Sequence, residues 1–289
     1  MTWQFVIAGL AVGILVGMTG MGGGSLMTPM LILIFGFDPK TAVGTDILHG
    51  AVFKSFGAWR HRKLGNVHVP LAVWMLAGSA PLSLVGVQIA SSFSDGTQSA
   101  MGKVVGATLI AGGFGFLAKS FIRGSQTDAE LHLSRRDKTL AVLIGATFGF
   151  VVGLTSVGSG TFFGLAMLLV YPLTARRIVG TDMLHAAALL WVAGAGHLLH
   201  GNVDLHAIGW LLIGSIPGVL LGSHLSVRIP ERALRIAFAF VLVLSGVKLV
   251  KLPASTTIIE VGAGVGVIAL LAYSLREHRQ RRVLAQEPA

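Results

Sequence analysis

The sequence predicts an all-α polytopic membrane protein made of two inverted-topology repeats. Each repeat is a broken Gly-rich helical hairpin followed by three transmembrane helices, and one more helix closes the chain. Three observations carry this. Of the 289 residues, 53% are hydrophobic and only 12% charged, and the apolar runs reach about 20 residues, the length that crosses a bilayer. The chain also repeats itself: Gly17 aligns with Gly153, and the same offset of 136 aligns Val43-Gly44-Thr45-Asp46 with Val179-Gly180-Thr181-Asp182 without a gap. Finally, most of the basic residues fall in short loops and in the C-terminal tail, the positive-inside pattern, so the net charge of +10 does not point to nucleic acid.

Taken in order, the spans read as 5–35 (broken), 42–60, 68–90 and 99–119, then 139–171 (broken), 178–198, 206–227, 233–250 and an unpaired 256–275. This gives a first repeat over 1–122, a polar cytoplasmic linker over 123–138, a second repeat over 139–252, and a final helix with a basic tail over 253–289. Five of the eight residues from Gly17 to Gly24 are glycine. Each costs about 1 kcal/mol in a helix interior relative to Ala, so the first span breaks there. Pro39, Pro172, Pro230 and Pro253 mark boundaries. Trp3, Trp59, Trp74, Trp191 and Trp210 read mostly as interfacial anchors. No Lys or Arg precedes Lys40, so the start lacks the charged region of a cleaved signal peptide. With no cysteine, disulfides and thiolate metal sites are excluded.

Charge also gives orientation. The tail Arg276, Arg279, Arg281 and Arg282 places the C-terminus in the cytoplasm. Arg176 and Arg177 are then inside, and the loop 199–205, free of Lys and Arg, outside. In the first half, Arg60, Arg62 and Lys63 place 60–67 inside and the N-terminus on the periplasmic side. The matching loops Gly65-Asn66-Val67 and Gly201-Asn202-Val203 thus lie on opposite sides, which makes the repeats inverted. The segment 139–171 must begin and end inside, as a hairpin. Divided equally, each arm reaches about 23 Å at 1.5 Å per residue, short of the ~30 Å hydrocarbon core, so two facing tips are expected near the midplane, as in inverted-repeat transporters.

The pattern Gly20-x-Gly22-Gly23-Gly24-x-x-x-x-Pro29 followed by Val43-Gly44-Thr45, with its echo in the second half, resembles the sulfite exporter TauE/SafE family of membrane transporters. The resemblance covers about residues 5–275. It implies transport of small sulfur-containing anions or organosulfonates, often outward. The second copy departs from the motif: Ser156, Ser159 and Leu165 stand where Gly20, Gly23 and Pro29 stand in the first. The two half-sites are therefore not expected to be chemically equal.

The residues point to an anion in their own right. A hairpin tip begins a half-helix whose first N–H groups lack intrahelical partners, and the positive dipole end favours negative charge. Gly22, Gly23, Gly24 and Ser25 in the first tip, with Gly158, Ser159, Gly160 and Thr161 in the second, are the candidate cradle. The alternative for such glycines is close helix packing, the reading preferred for Gly9, Gly13 and Gly17. Asp46 with His49, and Asp182 with His185, lie three apart and share a helix face. Ionisable residues within a membrane mark function by default, so Asp46, Asp182, His49 and His185 are coupling candidates, with a proton as the coupling ion. The bland alternatives are a helix cap for the aspartates and an interhelical hydrogen bond for the histidines. Thr45 and Thr181 join His49 and His185 as candidate ligands. Lys54 reads as snorkelling to the inner interface, with attraction of anions from the cytoplasmic side as the alternative, and Asn66 and Asn202 read as turn formers. His197, His200, Asp204 and His206 can be drawn as a metal site but have no matching set in the first repeat, so no metal and no cofactor is expected.

The expected function is a secondary transporter in the inner membrane, exporting sulfite or a short organosulfonate by alternating access. Its partners are the small anion, the lipid bilayer and protons. Import, or passive conduction as an anion channel, is the alternative on the same fold. A hydrolase using Ser159 with His185 is disfavoured, because the histidine is duplicated and the serine is not, and no P-loop is present for ATP hydrolysis.

Overall fold

Two long helices, α3 (Pro39–Lys63) and α8 (Ala175–Leu199), form the crossing on which the chain is built. Their sequence equivalence is clear, but their directions are opposed. Gly50 packs on Leu190, Gly57 on Met183 and Gly194 on Leu48, so positions that rise along one helix fall along the other. Corresponding helices thus lie antiparallel, the arrangement an inverted duplication requires. The computed structural model describes residues 2–19, 24–93, 98–122, 131–225 and 231–251. Among these are ten helices and no strand. The others are α1 (Thr2–Thr19), α2 (Gly24–Leu33), α4 (Val69–Ser92), α5 (Gln98–Phe121), α6 (Arg135–Thr155), α7 (Phe162–Val170), α9 (Leu205–Leu225) and α10 (Glu231–Val250).

Five helices are long and apolar enough to cross a membrane: α4, α5, α6, α8 and α9. The chain is a polytopic membrane protein. α3 stands apart from these five because it carries Asp46, Lys54 and the basic last turn Arg60–Lys63. Asp38 starts it, with Oδ1 accepting from the backbone N–H of Lys40 (3.1 Å) and Thr41 (3.2 Å). Pro39 follows at the first helical position, where its missing N–H costs nothing. Gly65, at φ 69°, turns the chain away after the helix.

Each half lends its first helix to the other. α1 lies along α9 and α6 along α4. Small residues make both contacts possible: a Cβ on Gly9 would strike the Leu211 carbonyl, and one on Gly145 the carbonyl of Met75. Met75 and Leu211 are themselves equivalent positions, as are Asn66 and Asn202, whose carbonyls lie against Gly180 and Gly44. The packing reading of Gly9 and Gly13 is thereby met, with Gly13 seated on Ser215. The principal apolar core gathers Ile47, Leu71, Met75, Leu109, Phe163 and Met167 between the two halves.

The hairpins depart from the expected equal arms. α6 has 21 residues and α7 nine, about 31 Å and 14 Å of helix at 1.5 Å per residue. The first arm runs long because Gly149 and Gly153 face the backbone of Ser79 and Ser83, so tight packing offsets their helix penalty. It also starts early. Ser134 and Asp137 form a reciprocal capping box, and residues 135–138, read as the end of the linker, are the first turn of α6. In the first hairpin α1 ends at Thr19 and α2 begins at Gly24. Gly20 to Gly23 lie outside the described residues, as do residues 123–130 of the linker and the expected span 256–275.

Candidate functional site

The break between α6 and α7 is the irregular stretch that the described structure buries. Ser156 ends α6 in the left-handed region at φ 62°, a conformation that costs a non-glycine residue energy. Gly158 and Gly160 follow at φ 119° and 109°, which only glycine adopts readily, and a Cβ on Gly158 would run into the Phe162 ring. The Gly158 carbonyl then accepts from the N–H groups of Thr161 (3.2 Å) and Phe162 (3.1 Å). Two of the amides expected to cradle a ligand are therefore already engaged by the turn itself.

Side chains carry the polarity here. Asp46, Lys54, Lys119 and Asp182 are all buried, with at most 5% exposure. The chain from Ser156 to Gly164 runs past them in turn. The Ser156 hydroxyl donates to Asp46 Oδ2 at 2.8 Å. Thr28, from the first hairpin, donates to the same oxygen through its hydroxyl (2.5 Å) and its N–H (3.2 Å). Asp46 thus pins both hairpins to α3. It sits eight residues inside a helix that Asp38 caps, so the reading of Asp46 as a cap is overturned. Two turns further along α3, about 12 Å, Lys54 Nζ donates to the Ser159 hydroxyl (2.7 Å) and carbonyl (3.2 Å). Lys54 has 0% exposure, which overturns the snorkelling reading. Lys119 Nζ, from α5, donates to the Gly160 carbonyl at 3.4 Å and lies against Gly164, beside Asp182. Lys54 and Lys119 both interact electrostatically with Asp182.

The histidines lie elsewhere. His49 Nε2 pairs with the Ser215 hydroxyl at 2.9 Å, and His185 Nε2 with the Ser79 hydroxyl at 2.8 Å. These are one contact made twice, each histidine reaching a serine of the other half. Their Nδ1 atoms have no protein partner, and the His185 ring sits edge-on to Phe163, 4.4 Å between centroids. The alternative of an interhelical hydrogen bond fits this geometry. Thr45 and Thr181 are likewise exchanged: their hydroxyls accept the backbone N–H groups of Asp204 (3.0 Å) and His68 (2.9 Å), ahead of α9 and α4.

Of the candidate residues, the structure gathers Ser159, Gly160 and Asp182 around Lys54 and Lys119, with Thr161 next in the chain, and ties Asp46 separately to Thr28 and Ser156. It keeps His49, His185, Thr45 and Thr181 in inter-half contacts, and it does not form the Ser159–His185 pair that a hydrolase would use. Gly22 and Gly23 lie outside the described residues; Gly24 and Ser25 open α2. The loop histidines weighed as metal ligands are engaged separately, His197 with the Gly153 carbonyl (2.9 Å) and His200 with the Gly196 carbonyl (2.8 Å), and Asp204 caps α9 through the N–H of Ala207. Sequence reasoning missed Thr28 and Lys119. A lysine two residues before the end of an otherwise apolar helix was the available signal for the second.

A family model described as sulfite exporter TauE/SafE matches residues 5–249. A Bacillus subtilis protein named probable membrane transporter protein YjnA is 37% identical over 86% of this chain and 100% of its own length. The similarly named YdhB of Bacillus subtilis is 25% identical over 82% of this chain and 95% of its own. MJ0441 of Methanocaldococcus jannaschii, also named a probable membrane transporter protein, is 26% identical over 83% and 92%. No solved structure matches the chain.

Proposed function

Since the chain belongs to the TauE/SafE family of membrane transporters, we propose that it is a secondary transporter exporting a small sulfur-containing anion, sulfite or a short organosulfonate, across the inner membrane by alternating access. The observation that carries this is the second hairpin's break, an interrupted helix whose Ser159 hydroxyl and Gly160 carbonyl accept from two buried ammonium groups where the halves cross. In a bilayer, irregular backbone is tolerated only where protein buries it or where it lines a polar path. Antiparallel twin helices support rocking of one half against the other around a central site. The C-terminus is cytoplasmic and the N-terminus periplasmic in this reading, with protons as the coupling ion and Asp46 and Asp182 as the groups that would carry them.

The exchanged contacts make the two membrane sides structurally equivalent, so import or passive conduction is served by the same geometry. Reconstituted protein in vesicles separates the three. Export coupled to protons requires that an imposed pH gradient drive sulfite or methanesulfonate against its concentration gradient. Flux that only ever follows the anion's own electrochemical gradient identifies a channel, and no flux of any small oxyanion removes the proposal.

A further inference from the structure

The geometry points to a single anion site per chain, formed by Lys54, Lys119, Ser159 and Thr161 at the break of the second hairpin, with no counterpart in the first and no part played by the mirrored histidines. This rests on the transport reading and names the groups that would receive the substrate's charge.

Lys54 is held in a way unusual for a buried cation. Its ammonium is fully buried, yet its hydrogen bonds go to the Ser159 hydroxyl and carbonyl, two neutral oxygens, rather than to a carboxylate. An ammonium has three donors, so one remains for a further acceptor. Asp46 is not that acceptor in contact: its Oδ2 is taken by Thr28 and Ser156, and its Oδ1 has no partner at all. A buried cation without a contacting counter-ion is strongly disfavoured, and in a membrane such groups serve transport paths.

The second observation is a set of unused polar atoms at the same level. Thr161 is fully buried and its hydroxyl has no partner; neither has Asp182 Oδ1. Buried polar groups are almost always satisfied, and each exception asks for a reason. Thr161 directly follows Gly160, whose carbonyl accepts from Lys119, and lies two positions after Ser159, which holds Lys54. Two ammoniums and two hydroxyls converging on three consecutive residues supply what a small oxyanion needs: charge, and several donors around more than one oxygen.

The duplication then limits the site to one copy. At the mirror positions given by the offset of 136, Leu190 of the second half stands for Lys54 and Gly23 of the first hairpin for Ser159. The histidine–serine pairs are the opposite case, present twice in matching geometry. What is duplicated serves the scaffold; what is single serves the ligand.

The test is isothermal titration of the purified full-length protein in detergent with sulfite and methanesulfonate. The expected stoichiometry is one anion per chain. Lys54→Leu, which copies the residue of the mirror position, and Lys119→Met should each weaken binding by at least 30-fold. Ser159→Ala, a small change that leaves both charges in place, should weaken it about 5-fold or more, and it carries the test if a lysine variant does not fold. His49→Gln and His185→Gln should stay within 3-fold. Two anions per chain, or wild-type affinity in folded Lys54→Leu or in Ser159→Ala, overturns the site. If the wild type binds and transports while these variants bind equally well, only this assignment fails; if the wild type binds neither anion and moves neither, the transport reading fails with it.

Discussion

Asp46 and Asp182 occupy equivalent positions in antiparallel twin helices, yet their surroundings differ. Asp46 Oδ2 collects the Thr28 hydroxyl and N–H and the Ser156 hydroxyl. At the other end Gly164 takes the position of Thr28 and Gly20 that of Ser156, and the space left by the missing side chain is filled by the Lys119 ammonium. One carboxylate is tied by neutral donors to both hairpins; the other faces cations. The scaffold keeps its two-fold character through backbone contacts and small residues, while the chemistry has been differentiated by a handful of side chains. Duplication therefore fixes where a group stands and leaves open what it does.

The comparison can be tested from the strongest contacts downward. Gly9→Ala and Gly145→Ala should each destabilise the protein by about 3 kcal/mol, the upper end for overpacking, because each added methyl meets a backbone carbonyl that cannot swing aside. Thermal unfolding in detergent should give matching losses; tolerance of one and not the other would mean that the exchanged helices are not equivalently packed. Next comes Asp46→Asn. Removing the charge that three donors share should cost about 2 kcal/mol, and Thr28→Val and Ser156→Ala should each cost less by the same measurement.

Smaller effects should again be paired. Ser79→Ala and Ser215→Ala each remove one buried hydrogen bond to a histidine, about 1 kcal/mol apiece, with unfolding midpoints lowered equally. The caps should break the pairing. Asp38→Ala loses two capping bonds at the start of α3 and should cost about 1 kcal/mol. Thr174, its equivalent ahead of α8, makes no side-chain capping bond, so Thr174→Ala removes no cap and should cost less than Asp38→Ala. An equal loss at both caps would contradict the asymmetry drawn here.

Much of this was legible before any coordinates. Glycine spacing located the helix breaks, because backbone conformation is a local property of the residue that adopts it. The repeated Asp and His positions marked helices that cross at the centre. What could not be read was which half each side chain would address. Ser79 and Ser215 belong to a visible repeated Gly-Ser pair, but nothing local says that each will meet the histidine of the opposite half. Lys54 was misjudged for the same reason: its distance from a loop permits snorkelling, and only the descent of Ser159 beside it creates a buried partner. The equal-arm hairpin failed because the segment was simply divided in two, without the neighbouring helix α4 along which the first arm packs.

The exchange of first helices also sets a schedule for assembly. α6 emerges after α4, so its partner is already waiting when the second hairpin enters the bilayer. α1 must wait for α9, most of the chain later, and at about 5–20 residues per second of synthesis that delay is on the order of tens of seconds. During it, the glycine face of the opening helix has only lipid or the insertion machinery to lean on. The earliest segment made is thus the last of the two to find its home, and biogenesis, more than the finished molecule, is where changes to that face should be felt first.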